Sequence, residues 1–440
     1  MNNQTSNKGG KKLPEQVAAD MAVNIRRYPW YIFFRDCYFW GPAFFLYFSS
    51  VLPLSQVLWL EAVYYFSTAI LEVPSGYLSD RFGRKITLLI SSACLALAYL
   101  LFFLGGGFTG FALAQVFMAA GFAAASGTDT AFHYESLAGA GQPERYTVLE
   151  GRSLKFSLRA GALGALAGGL IASLSLSWIY AASCAAALAS LWIVSGFREP
   201  PESASSDSGK TAAAPMGRQV IWLMTKAFSP RFRFFTLYTL SMTLLLHLPY
   251  EFYQPYLARV MDGFGETART TPMLTGTHLA LTLLTGSLFT RFAGRIHLRC
   301  RVRSALLGAA LFQVLLVGGM ALVVHPLVVV MLVFRTASRA VSVPLVNGEL
   351  SPLLHRSERS TYLSLQSLLG RLAYGLVLVL LPLGTLAFDD GLRAALVSAF
   401  LLGLLLWLVL RAIRFPRDPG HACCGSHGGN SPGGHHTHLH

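Results

Sequence analysis

Charge is what this chain has least of. Only 13% of its 440 residues are Asp, Glu, Lys or Arg, about half of the ~25% that a water-facing domain carries. With 53% hydrophobic residues and a mean hydropathy of +0.50, the two or three soluble domains this length would suggest are excluded. Cysteine is scarce as well. Cys37, Cys94, Cys184 and Cys300 stand alone in or beside apolar runs, and Cys423 and Cys424 sit in the tail. That spacing gives neither a disulfide framework nor a structural zinc site. No G-x-x-x-x-G-K-[ST] or H-E-x-x-H segment occurs, so the common nucleotide-binding and zinc-hydrolase constellations are missing and no cofactor is expected. Residues 1 to 27 are polar and basic and lack an apolar core of signal-peptide type, which makes the run from Tyr31 an uncleaved first helix by expectation. Disorder and collagen fail on 12% aromatics and 41 glycines without a three-residue period.

What is present is a series of long apolar runs. They predict helices near 31–54, 57–78, 86–104, 109–132, 148–172 and 175–196, then six more near 233–257, 272–292, 304–323, 326–347, 361–385 and 391–412. Between the sets lies a Pro/Ser/Ala-rich polar stretch that reads as a linker. The expected organisation is a segment over 1–30, a six-helix bundle over 31–197, a linker over 198–231, a second bundle over 232–413 and a His/Cys-rich tail over 414–440. With both termini cytoplasmic, the outer loops hold only Arg259, Arg269 and Arg393, and the inner side holds the remaining loop cations. That bias of roughly tenfold is an orientation signal. The net charge of +14 is therefore assigned to topology and not to nucleic acid. The chain reads as an all-α, multi-pass protein of the plasma (inner) membrane, its lipid partner the bilayer, and as a monomer.

The two sets repeat. Trp40-Gly41-Pro42 has a counterpart 213 residues later in Tyr253-Gln254-Pro255, and Glu144-Arg145 has one 214 residues later in Glu358-Arg359. Parallel six-helix repeats around a central linker are a transporter plan. Between the second and third predicted helices stands Gly76-Tyr77-Leu78-Ser79-Asp80-Arg81-Phe82-Gly83-Arg84-Lys85. It resembles the G-x-L-x-D-R-x-G-R-K/R loop of the major facilitator superfamily, at the position that family requires, and twelve helices in two halves match over almost the whole chain. The resemblance implies that Gly76, Asp80, Arg81, Gly83, Arg84 and Lys85 form a conformational-switch loop. Gly76 would let two helices approach, Gly83 would permit a tight turn, Asp80 would face a helix N-terminus, and the cations would stay among headgroups. A worn copy, Gly286 to Arg295, has Thr290 in place of the aspartate. The run Gly164-Ala165-Leu166-Ala167-Gly168-Gly169 resembles the G-P-x-x-G-G element of the family's drug/proton antiporters, with Ala165 for proline. Read without the family it is a small-residue packing face. Those antiporters also carry an arginine in helix 4, and Phe117 stands at that position here.

Ionisable residues inside apolar helices cost about 2.5–3.5 kcal/mol each on insertion scales and so ask for a role. Arg152, Lys155 and Arg159 share a helix face, as do Arg335 and Arg339, and Arg371 lies in the eleventh helix. By helical rise Arg159, Arg335 and Arg371 fall roughly 14–17 Å from their helix ends, and three cations at one depth suggest a site for a negative group. His247 and Tyr253 join them as substrate-binding candidates. Asp129, Glu135 and Glu349 are available to the shallower cations. A carboxylate in a low-dielectric pathway can exchange protons as access alternates, which makes Asp36, Glu72, Asp129 and Glu251 the proton-coupling candidates. Asp36 has Arg35 beside it, and Glu61 is expected to reach water near the outer end of its helix. Six of the twelve histidines lie in the last twenty residues. There His421, Cys423, Cys424, His427, His435, His436, His438 and His440 could form weak metal ligands. The expected function is secondary transport of a small-molecule substrate with protons or another coupling ion, as a proton-linked exporter of a small organic, anionic compound. Transport of a transition metal or metal chelate, or a non-transporting receptor or scaffold, are the alternatives.

Overall fold

The computed structural model describes residues 14–201, 224–264, 270–289, 301–350, 353, 356–385 and 390–415. Among them there is no strand. The first half contains α1 (Pro14–Arg35), α2 (Phe44–Ser49), α3 (Leu54–Phe82), α4 (Arg84–Leu104), α5 (Gly107–Ala125), α6 (Thr128–Gly139), α7 (Tyr146–Leu174) and α8 (Trp178–Ser195). The second contains α9 (Arg233–Asp262), α10 (Thr270–Phe289), α11 (Val302–Leu322), α12 (Pro326–Leu332), α13 (Ala337–Leu350), α14 (Arg356–Thr385) and α15 (Gly391–Ala412). Nine stretches of the described residues are long and apolar enough to span a bilayer. The α1–α2 segment, α9 and α10 fall short because they are broken or carry polar residues inward, and with them the count agrees with twelve crossings.

Three expected helices prove to be interrupted. The first begins at Pro14, inside the stretch read as a polar lead-in, where Asn24 and Arg27 bond the backbone of Arg198 and Gly196. It stops at Arg35 and resumes at Phe44. Gly41-Pro42 explains the gap, since proline supplies no N–H and disfavours helix in the residue before it. The 109–132 run divides into α5 and α6, and the 326–347 run divides at residues 333–336 into α12 and α13. Broken backbone at membrane depth is tolerated where protein surrounds it.

The halves meet along two seams, α7 on α10 and α3 on α14. Glycine makes the first possible. A Cβ at Gly276 would lie 2.4 Å from the Ala165 carbonyl oxygen, and one at Gly168 would lie 2.1 Å from that of Phe39, in the α1–α2 break. The Gly164–Gly169 run is thus a two-sided packing face. Gly76 is different: a Cβ there meets open space, so close helix approach is not its role. At Gly83 the φ of +96° does require a residue without Cβ strain.

Candidate functional site

Among the cavities between the halves, two adjoin along α9. The larger, about 610 Å³, is lined by α3, α9, α13 and α14 and includes Tyr64, Tyr65, His247, Arg339, Gln366 and Arg371. It occupies the end of the bundle where α3 finishes and α9 starts, the end that bears the 76–85 loop. The smaller, about 130 Å³, lies one turn deeper along α9 and shares Tyr64 and Tyr65 with the first. Between the two, Tyr65, His247 and Tyr374 cluster with ring centroids 4.8–5.6 Å apart. Beyond the smaller cavity the far end is closed. Gln254 accepts from Phe45 N (3.0 Å) and donates to Gly41 O (3.1 Å), while Phe44 stacks on Tyr250.

The three arginines expected at one depth do not share a cavity. Arg371 lines the larger one and donates to Glu72 Oε2 at 2.8 Å, which ties α14 to α3 and pairs two residues from different candidate groups. Arg335 is buried at 3% exposure. Its guanidinium contacts Thr282 Oγ1 (3.1 Å) and His278 Nδ1 (3.3 Å) and lies 4.5 Å over the Tyr253 ring; Tyr253 lines neither cavity, and its hydroxyl donates to Gly41 O of the first half. The break at 333–336 takes Arg335 off the face of Arg339, and Arg339 is the one that reaches the cavity. Arg159, with Arg152 and Lys155, is exposed. It shares its helix stripe with exposed Leu163, Leu166 and Leu170, the face that meets lipid. His247 lines the cavity and donates from Nδ1 to Thr243 O.

The carboxylates sort by partner. Asp36 takes Arg35 Nε at 2.7 Å and the Tyr38 hydroxyl at 3.0 Å, and Asp129 holds the same guanidinium. Arg35 is therefore shared by both. Glu251 is fully buried; its Oε1 lies 3.5 Å from the Tyr65 hydroxyl, and Oε2 has no hydrogen-bond partner among the described residues. Glu61 does not reach water: it is 6% exposed, accepts from Gln115 Nε2 at 3.1 Å, and lines the smaller cavity opposite Glu251. The start of α3 at Leu54 puts Glu61 two turns inside the helix, one turn before Tyr65.

At the loop, Arg84 pairs with Glu135 (3.2 Å) and bonds Ser79, so Glu135 does not serve the α7 cations. Arg81 is exposed, its guanidinium 3.1 Å from the Tyr77 hydroxyl. Asp80 stands in the last turn of α3, its side chain outside the described residues. The N-terminus of α4 is capped by Glu199, which accepts from Arg84 N (2.6 Å) and Lys85 N (2.9 Å). Nothing but its charge marks that residue in the sequence. Thr290 to Arg295 and residues 416–440, with all the tail histidines and cysteines, also lie outside the described residues.

The family model described as Major Facilitator Superfamily matches residues 31–378. Solved structures share the fold. The nucleoside transporter NupG is 12% identical with a TM-score of 0.72, over 88% of this chain and 98% of that one. A D-xylose–proton symporter is 14% identical (TM-score 0.65; 90% and 98%). A bacterial homologue of the human lysosomal transporter Spinster, inward-facing and unoccupied, is 15% identical (TM-score 0.68; 92% and 98%). No curated protein matches the chain.

Proposed function

The chain belongs to the Major Facilitator Superfamily, and on that footing we propose that it moves a small organic solute bearing an anionic group, in exchange for protons, through the cavity between its halves. The observation that supports this most is the larger cavity itself. It is lined from both halves, and Arg339, without an ion pair among the described residues, lines it together with Arg371. A solvent-filled cavity with two guanidiniums concentrates an anion. Arg339 and Arg371 replace the set Arg159, Arg335 and Arg371 as the binding pair. With the loop end in the cytoplasm of the cell that houses it, this state accepts solute from inside, as an exporter in the plasma membrane requires.

Coupling is assigned to Glu251. Asp36 and Asp129 share Arg35, and Glu72 has Arg371, so each of those three has a cation against it. Glu251 alone among the four candidates has no cation against it among the described residues. The test is flux in proteoliposomes, with a solute chosen by thermal-shift screening of organic anions, zwitterions and divalent metals. Glu251→Gln should remove dependence on an imposed proton gradient and leave counterflow, which needs no net proton movement. Arg339→Gln should weaken solute binding roughly tenfold or more, the loss of one charge-assisted hydrogen bond. Gradient dependence that survives Glu251→Gln would return the role to Glu72 or Asp36.

A further inference from the structure

The smaller cavity has a chemistry of its own. Its walls are aromatic, with Trp40, Phe44, Tyr64, Tyr180 and Tyr250 among them, and two carboxylates project into it, Glu61 from the first half and Glu251 from the second. Its polar inventory includes two buried acceptors without a donor. Gln115 donates its amide to Glu61, which leaves Gln115 Oε1 without a partner, and Glu251 Oε2 has none either. Both atoms are fully buried. Buried acceptors without donors are costly, and the group that satisfies several at once is a primary or secondary ammonium. It brings two or three N–H donors and a positive charge, and that charge is further stabilised over the faces of aromatic rings. The chamber shares Tyr64 and Tyr65 with the cavity that holds Arg339 and Arg371, and His247, which lines that larger cavity, stands one turn of α9 before Glu251.

We propose that this inner chamber receives the protonated amine of the transported solute, so that the solute is a zwitterion with its anionic end on Arg339 and Arg371 and its ammonium between Glu61 and Glu251. This rests on the transporter reading above and adds the second charge. The bilayer-facing stripe of Arg152, Lys155 and Arg159 takes no part in it.

The experiment compares charge-matched probes on the purified full chain by calorimetric titration. The probes are ω-amino carboxylates from aminoacetate to aminooctanoate, each beside the alkanoate and the alkylamine of the same length. One length of the amino acid should bind at least about tenfold more tightly than either single-charge partner, a comparison that needs no variant. Glu61→Gln and Glu251→Gln should bring the affinity of that amino acid down to that of its alkanoate, and Arg339→Gln should bring it down to that of its alkylamine. Alkanoates that bind as tightly as the amino acids, Gln variants that keep the preference for an amine, or failure of every probe to bind would each overturn the chamber's role. Counterflow of the same probes separates this from the transporter reading. Flux of alkanoates with no preference for the amine removes the ammonium site and leaves transport standing. Binding of the amino acid without protein-dependent flux keeps the site and removes transport.

Discussion

Arg35 holds two carboxylates of the first half together. Its guanidinium bonds Asp36 and Asp129 at once, at the point where α1 ends. Removing it leaves two carboxylates facing each other with no cation. Breaking a buried pair by deleting one partner costs about 3–5 kcal/mol, and Arg35→Gln should fall in that range. Asp36→Asn should cost less, about 1.5–3 kcal/mol, because Arg35 keeps Asp129. Thermal unfolding of the two variants in one detergent tests the ranking, and an equal or inverted order would mean that Asp36 and not Arg35 organises the cluster. A second ion pair gives a pH signature at the far end. Arg259 donates to Asp390 at 2.7 and 2.9 Å and holds that carboxyl below the usual aspartate range. A carboxyl whose folded value is depressed contributes stability in full above its unfolded value, about 3.9, and loses it as pH falls through the lower folded value. Wild type and Asp390→Asn should therefore differ in melting temperature by a constant amount above about pH 5, and the difference should shrink below pH 4. The pair is well exposed, so the difference will be small. A gap that widens on acidification would contradict the assignment.

The α7 helix shows how a single element serves three surfaces. Gly164 and Gly168 face the break after α1, Gly169 and Ala165 face α10, and Arg159 with its leucines faces outward. Gly168→Val forces side-chain atoms into the Phe39 backbone, which cannot retreat as a flexible side chain would. Overpacking of this kind costs about 1–3 kcal/mol or more. Gly76→Ala is the contrasting change: its Cβ meets open space, and alanine is the better helix former by about 1 kcal/mol. Stability measured by thermal unfolding should fall for the first and hold or rise for the second; a fall at Gly76 would restore its reading as a close-approach glycine. The spans themselves were legible because long apolar runs admit few alternatives in a bilayer. The breaks were less so. Gly41-Pro42 was visible, but residues 333–336 carry no proline or glycine, and that break separated Arg335 from Arg339. Helical rise put Arg159, Arg335 and Arg371 at one depth but said nothing of azimuth. For Arg159 the signal was available: Leu163, Leu166 and Leu170 follow it at i+4, i+7 and i+11 on one apolar stripe. For Arg371 it was not, since its partner Glu72 is 299 residues away and periodicity names a face, never the neighbour across it.

At the scale of the whole molecule, the two repeated tripeptides meet. Gln254 of the second half bonds Gly41 and Phe45 of the first, and Gly41 is the residue its own position corresponds to 213 residues earlier. Equivalent positions of two repeats touch only where a symmetry axis would pass, and for parallel repeats that axis runs along the membrane normal. The contact thus sits at the centre of the far-end seal, where alternating access has to open the molecule if the loop end is to close. Gln254 is fully buried and accepts from Phe45 N at 3.0 Å and donates to Gly41 O at 3.1 Å. At about 0.5–1.5 kcal/mol for each bond, Gln254→Ala should withdraw about 2 kcal/mol from the sealed state, since both partners can hydrate once the far end opens. That moves the ratio of open to sealed molecules by roughly thirtyfold. Spin labels at Val51→Cys and Phe264→Cys, both exposed at the far end of opposite halves, would report the change as a new population at longer distance. Gln313→Ala is the matched control. Gln313 is also a fully buried glutamine, but its amide bonds the Arg335 carbonyl within the second half, so its loss should lower stability and leave the label distance alone. If both variants lengthen the distance, the far end opens through general loosening; if neither does, the seal resides in the aromatic packing of Phe44 on Tyr250 and not in the hydrogen bonds at the axis.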